Sequence, residues 1–170
     1  MLWWRTVLFT ILVPGTELVV LPLVVVLMGL GPLVELGVAR YLGLAPLALG
    51  LVIIVWCFID FVRRGRGTPA PYDPPRHLVV AGLYRYVRNP QYVGVVLVVV
   101  GEALLSGRVV LFGYAALMAI GYQLVVVYYE EPTLGRLFGE SYARYQAAVP
   151  RWLPARPWAE GGVGADRGRG

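Results

Sequence analysis

Residues Gln91 to Tyr129 read QYVGVVLVVVGEALLSGRVVLFGYAALMAIGYQLVVVYY, and the charged residues among them are Glu102 and Arg108 alone. The two halves, Gln91 to Ser106 and Val109 to Tyr129, each approach the ~20 apolar residues that cross the roughly 30 Å hydrocarbon core of a bilayer. Only Gly107-Arg108 separates them, which predicts a tight antiparallel helical hairpin inside a membrane.

Working outward, the segment from Leu42 to Val62 is the cleanest span, with no charge before Asp60. Thr6 to Leu30 is apolar too, but Pro14-Gly15 and Pro22 interrupt it and Glu17 sits within it, so it reads as one kinked span or two short pieces. We read it as membrane-spanning and not as a cleaved signal peptide: Pro14-Gly15 breaks the apolar region, no small-residue cleavage site follows, and hydrophobicity resumes at once. The expected fold is all-α, an integral membrane bundle of four or five transmembrane helices.

Composition agrees. Of 170 residues, 58% are hydrophobic and 15% charged, with mean hydropathy +0.68, too apolar for a soluble domain of this length. Cys57 is the sole cysteine and lies in an apolar run, which excludes a disulfide scaffold. The net charge of +5 comes from arginines spread between apolar spans; no nucleic acid is implied, and anionic membrane lipids are the expected partner, with no protein partner implied. With four spans, thirteen arginines fall on one side and Arg40 and Arg108 on the other. The positive-inside rule then puts both termini and the central loop in the cytoplasm.

Beyond Tyr129, Glu130-Glu131-Pro132 is expected to end one helix and start another, since proline suits a first helical position. Leu134, Leu137, Phe138, Tyr142 and Tyr145 then recur at helical spacing, predicting a cytoplasmic amphipathic helix lying on the membrane or on the protein. Val149 to Pro154 ends it, with Trp152 and Trp158 at headgroup level. The expected organisation is 1–62 as N-terminal spans, 63–154 as central loop, hairpin and cofactor-binding region, and 155–170 as a disordered Gly/Arg-rich tail.

Two polar regions suit chemistry. The central loop ends in Gly82-Leu83-Tyr84-Arg85-Tyr86-Val87-Arg88-Asn89-Pro90-Gln91-Tyr92-Val93-Gly94, glycines, aromatics and arginines at the membrane surface, as a polar small-molecule site requires. An aromatic and basic interfacial belt has the same composition. Glu130 and Glu131 stand at the predicted C-terminal end of a helix, where the dipole disfavours them by roughly 0.3–1 kcal/mol each. They call for a cation, either a central-loop arginine or a positively charged ligand, unless they form a solvated helix end. Glu17, Glu102 and Gln123 should face the bundle interior or a membrane boundary, with Glu102 reaching the headgroups. One histidine and one cysteine leave no metal site.

Taken in order, Gly82-Leu83-Tyr84, Arg88-Asn89-Pro90-Gln91-Tyr92-Val93-Gly94, Glu130-Glu131-Pro132-Thr133-Leu134, Phe138-Gly139-Glu140-Ser141-Tyr142, Tyr145 and Val149-Pro150-Arg151-Trp152 closely resemble the isoprenylcysteine carboxyl methyltransferase and phospholipid methyltransferase group of integral membrane enzymes. The resemblance covers about Arg76 to Pro154. It implies an S-adenosylmethionine-dependent methyltransferase of a prokaryotic cell membrane, with the cofactor in a cytoplasmic pocket and a lipophilic acceptor, an isoprenylcysteine-like carboxylate or a lipid amine, entering from the bilayer. Carried over, Val79, Gly82, Leu83, Tyr84, Asn89, Pro90, Tyr92 and Gly94 would hold the cofactor, Glu130 and Glu131 its polar end, and Arg88 with Asn89 the reacting groups. Many relatives have Arg-His-Pro where this chain has Arg88-Asn89-Pro90, so no titrating group stands there, and His77 takes no role from the family.

A membrane NADPH-dependent reductase of related fold is the competing enzyme class, which the Glu130-Glu131 pair suits less well than a cationic cofactor. A small membrane scaffold is the non-enzymatic one.

Overall fold

The computed structural model describes residues 15–60, 78 and 80–158, and every regular element among them is a helix. Two prolines shape these helices. Proline lacks the N–H its helical turn requires, and its ring crowds the preceding turn. The chain accommodates both Pro22 and Pro132 by widening into a π turn that ends two residues earlier, at Thr16–Val20 and at Val126–Glu130. Helix α1 (Thr16–Leu27) therefore runs through Pro22 as one distorted piece; Pro14 lies outside the described residues.

Helix α2 (Gly37–Asp60) opens with 3-10 turns over Gly37–Gly43 and continues as α-helix to Asp60. Helix α3 (Pro90–Ser106) and helix α4 (Val109–Phe138) form the predicted hairpin. Gly107 closes it at φ +69°, a left-handed conformation that glycine adopts without strain, and an added Cβ would collide with the Val34 carbonyl. Two helices, α2 and α4, are long and apolar enough to cross a membrane.

The helix break expected at Glu130-Glu131-Pro132 does not occur; the π turn carries helix α4 on to Phe138. Glu130 and Glu131 thus lie within a continuous helical run, away from the unfavourable dipole of a helix end. The predicted amphipathic helix is divided by Gly139, at φ +51°, into the end of α4 and helix α5 (Glu140–Ala148). Leu134, Phe138, Tyr142, Tyr145 and Val149 still share one cluster, with Leu78, Val80 and Trp158, so this face packs on the protein. Leu137 is exposed.

The main core sits where α1, α3 and α4 meet, around Leu18, Val95, Val98, Val99, Ala115 and Met118. Val38, Leu42, Leu49, Val52, Leu117, Ile120 and Leu124 face outward, an apolar surface that lipid can cover and water cannot. Helices α2 and α3 approach through glycines seven residues apart on each. A Cβ on Gly50 would lie 2.5 Å from the Gly94 carbonyl, and one on Gly43 would lie 2.6 Å from that of Gly101, the close backbone contact favoured between helices in lipid. Gly50→Ala should therefore force the helices apart and cost about 1–3 kcal/mol. Gly113→Ala, with nothing within 4 Å of its Cβ, should be neutral or slightly stabilising; thermal midpoints in detergent check both.

Candidate active site

The segment before α3 is held from two sides. Gly82–Arg85 forms a single 3-10 turn, with Gly82 at φ +54°. A Cβ on Gly82 would collide with Asp60 Oδ2 and stand 3.0 Å from Trp56 Nε1, so the turn is pressed onto the end of α2, where Asp60 is only 6% exposed. On the other side the chain after α5 runs back antiparallel to it. Arg88 N donates to the Pro150 carbonyl at 2.9 Å, Ala155 N to Tyr86 at 3.0 Å and Trp158 N to Arg85 at 2.9 Å. Arg85 Nε returns a bond to the Trp158 carbonyl at 2.8 Å. Residues 155–158, placed in a disordered tail by composition, thus strap the site, while 159–170 lie outside the described residues.

Tyr145 Oη donates to the Tyr84 carbonyl at 2.7 Å, tying α5 to the 3-10 turn. The Tyr84 phenol lies beside the Cys57 thiol. Burial raises the pKa of both tyrosines above the ordinary value, so both remain protonated at physiological pH.

The adjacent glutamates have unlike surroundings. Glu131 is saturated: Arg88 Nη1 donates at 2.9 Å, Arg151 Nε and Nη2 at 2.7 and 2.9 Å, and Gln146 Nε2 at 3.1 Å. The Arg151 contact is the paired geometry that guanidinium and carboxylate planes favour, and Glu131 raises the Arg151 pKa. The side chains of Arg88 and Glu131 are 10% and 12% exposed. Glu130 accepts a hydrogen bond from Tyr92 Oη and pairs with no cation among the described residues. The Arg88 guanidinium also lies beside the Tyr142 phenol, and its Nε is buried with no hydrogen-bond partner among the described residues.

Residues 38–141 match the family described as phospholipid methyltransferase. The chain belongs to that family. The chain is also similar to the protein-S-isoprenylcysteine O-methyltransferase of Schizosaccharomyces pombe, at 35% identity over 80 residues, 47% of the chain and 34% of the relative. The chain thus matches about a third of that relative's length. No solved structure matches it. The family region takes in α2, the glycine turn, the hairpin and the start of α5; α1 precedes it.

Within the chain, Arg88, Tyr92, Glu130 and Glu131 converge as one cluster. Asn89 does not cap α3 with its side chain; its Nδ2 donates to the Arg151 carbonyl at 3.3 Å, and Pro90 opens the helix behind it. Leu83 and Tyr84 belong to the 3-10 turn, and the Leu83 carbonyl accepts from Tyr86 N and Val87 N. Gly94 lies in the α2–α3 contact, 3.0 Å from the Gly50 carbonyl at its Cβ position, and helix packing accounts for its size. Val79 and His77 lie outside the described residues. Sequence reasoning left out Arg151, Gln146, Tyr142 and Asp60. Arg151 stood in a quoted motif, but nothing local marks it as a second partner of Glu131.

Proposed function

We propose that this methyltransferase uses S-adenosylmethionine and methylates a lipophilic acceptor at the membrane surface. The observation that carries the reading is the asymmetry of the glutamates. Glu131 spends its charge on Arg88 and Arg151, whereas Glu130 is fixed by Tyr92 and faces no protein cation among the described residues. A partly buried carboxylate without a counter-ion is costly, and a cationic ligand relieves that cost. The residues present therefore fit a sulfonium donor with an ammonium group. The unpartnered Arg88 Nε fits an anionic oxygen of donor or acceptor.

When bound, S-adenosylmethionine supplies an electrophilic methyl group on sulfur, so no protein nucleophile is required. The chain's own residues supply position. Tyr92 orients Glu130, Arg88 and Arg151 fix Glu131, and the strap holds Arg88, Asn89 and the turn over Gly82, Leu83 and Tyr84 in register. Positioning of this kind is worth up to about 7–11 kcal/mol of barrier. The similarity to an isoprenylcysteine O-methyltransferase supports an isoprenylcysteine-like carboxylate as acceptor; the family description supports a lipid amine. NADPH fits less well, because Glu130 would repel its anionic phosphates and Arg151 is committed to Glu131.

Saturating S-adenosylhomocysteine should raise the thermal midpoint of the detergent-solubilised protein, by about 2.7 kcal/mol of stabilisation at a hundred times Kd, and NADPH should not. The reverse pattern would favour the reductase.

We further read α1 and α3 as spans, with both termini cytoplasmic, from the arginine asymmetry. Single cysteines introduced near Gly161 and at Arg40, with Cys57 replaced by alanine, should label from opposite sides of sealed vesicles. Labelling from one side would overturn this topology.

A further inference from the structure

Glu17 lies on α1, ahead of the family region, yet it connects to the site. In the π turn Leu21 N bonds the Thr16 carbonyl. The N–H that would next serve the Glu17 carbonyl belongs to residue 22, a proline that has none. Tyr114 Oη fills that place at 3.2 Å, and Tyr122 Oη donates to Glu17 Oε2 at 2.8 Å. Two hydroxyls from α4 therefore secure one residue of α1.

The Tyr122 ring stacks on that of Tyr92, with centroids 4.3 Å apart and planes 18° apart. Tyr92 in turn donates to Glu130, which sits in the second π turn. Such turns displace side chains from regular helical positions and recur at functional sites. Contacts therefore run unbroken from Glu17 through Tyr122 and Tyr92 to Glu130. Glu102, by contrast, lies outside this path; its Oε2 is buried without a hydrogen-bond partner among the described residues.

We propose that Glu17 is a positioning residue, which holds the Tyr122–Tyr92 stack and thereby orients the Glu130 carboxylate toward the methyl donor. The proposal rests on Glu130 receiving the donor's cationic end. It assigns α1 a part in the site beyond packing: swinging Tyr92 away from Glu130 requires unstacking Tyr122, and Glu17 opposes that movement.

The test is S-adenosylhomocysteine affinity of the full chain, by calorimetry in detergent, alongside the ligand-free thermal midpoint. Glu17→Ala and Tyr122→Phe should each weaken binding roughly three- to tenfold, the range of one lost hydrogen bond. Glu17→Gln keeps an acceptor for Tyr122 and should restore near-normal affinity. The double variant should be no worse than the more affected single one, because both cut the same connection. In a Glu130→Gln background Glu17→Ala should add nothing. Should Glu17→Ala fail to fold, Tyr122→Phe, which keeps the ring, carries the comparison. Normal affinity in Tyr122→Phe and Glu17→Ala, while Glu130→Gln binds weakly, overturns the positioning role alone. Normal affinity in Glu130→Gln overturns the reading of Glu130 and the positioning role with it.

Discussion

Glu130→Gln should weaken S-adenosylhomocysteine binding more than tenfold and leave the ligand-free thermal midpoint nearly unchanged, whereas Glu131→Gln should do the opposite. The two residues are neighbours of identical chemistry, so the contrast comes from their partners. Glutamine at 130 keeps an oxygen for the Tyr92 hydroxyl but removes the charge proposed to meet the ligand's cation, and a hydrogen bond to a charged group is worth about 1.5–3 kcal/mol. Glutamine at 131 leaves Arg88 and Arg151 with one neutral acceptor between them. Breaking a fully buried pair costs about 3–5 kcal/mol. Because the Arg151 side chain is 29% exposed, solvent screens part of that loss, and we expect about 2 kcal/mol, a shift of several degrees. Calorimetry and thermal melts on both variants decide it; parallel losses in both would show that the glutamates act as a single structural unit.

Arg88→Ala should slow single-turnover methylation by about a hundredfold, and Arg88→Lys by more than tenfold with cofactor affinity retained. Arg88 spends Nη1 on Glu131 and has Nε to spare. Lysine preserves the ion pair but lacks the planar second donor. Were Arg88 only a strut for Glu131, lysine would suffice and alanine would mainly lower stability. A rate for Arg88→Ala within about threefold of wild type, under 1 kcal/mol of barrier, would remove it from the catalytic set.

What could be read from the chain follows the range of the interactions. The hairpin was legible because Gly107-Arg108 is too short for any other connection, and of the partners the sequence left open for the glutamates, a central-loop arginine, a cationic ligand or solvent, Arg88 meets Glu131. Gln123 and Glu17 are expected to face the bundle interior or a membrane boundary, and they bond Trp152 and Tyr122 respectively. The π turns were not foreseen, although Pro22 and Pro132 carry the signal: a missing N–H can distort a helix without ending it. Gly94 was grouped with the cofactor because it sits in a motif, yet its spacing to Gly101, repeated by Gly43 and Gly50, marks a helix contact. Arg151 and the Glu17–Tyr122 bond escaped because each joins residues far apart in sequence, at places that only the packed bundle defines.

Methyl transfer to a lipophilic acceptor is measured with labelled S-adenosylmethionine, purified protein, and a total lipid extract or prenylcysteine analogues as acceptors. Wild type should form a labelled lipophilic product, and Glu130→Gln, at the same donor concentration below saturation, should form at least tenfold less. Binding of S-adenosylhomocysteine without any labelled product would point to an acceptor outside these classes. Neither binding nor transfer by a folded wild-type protein would contradict the account.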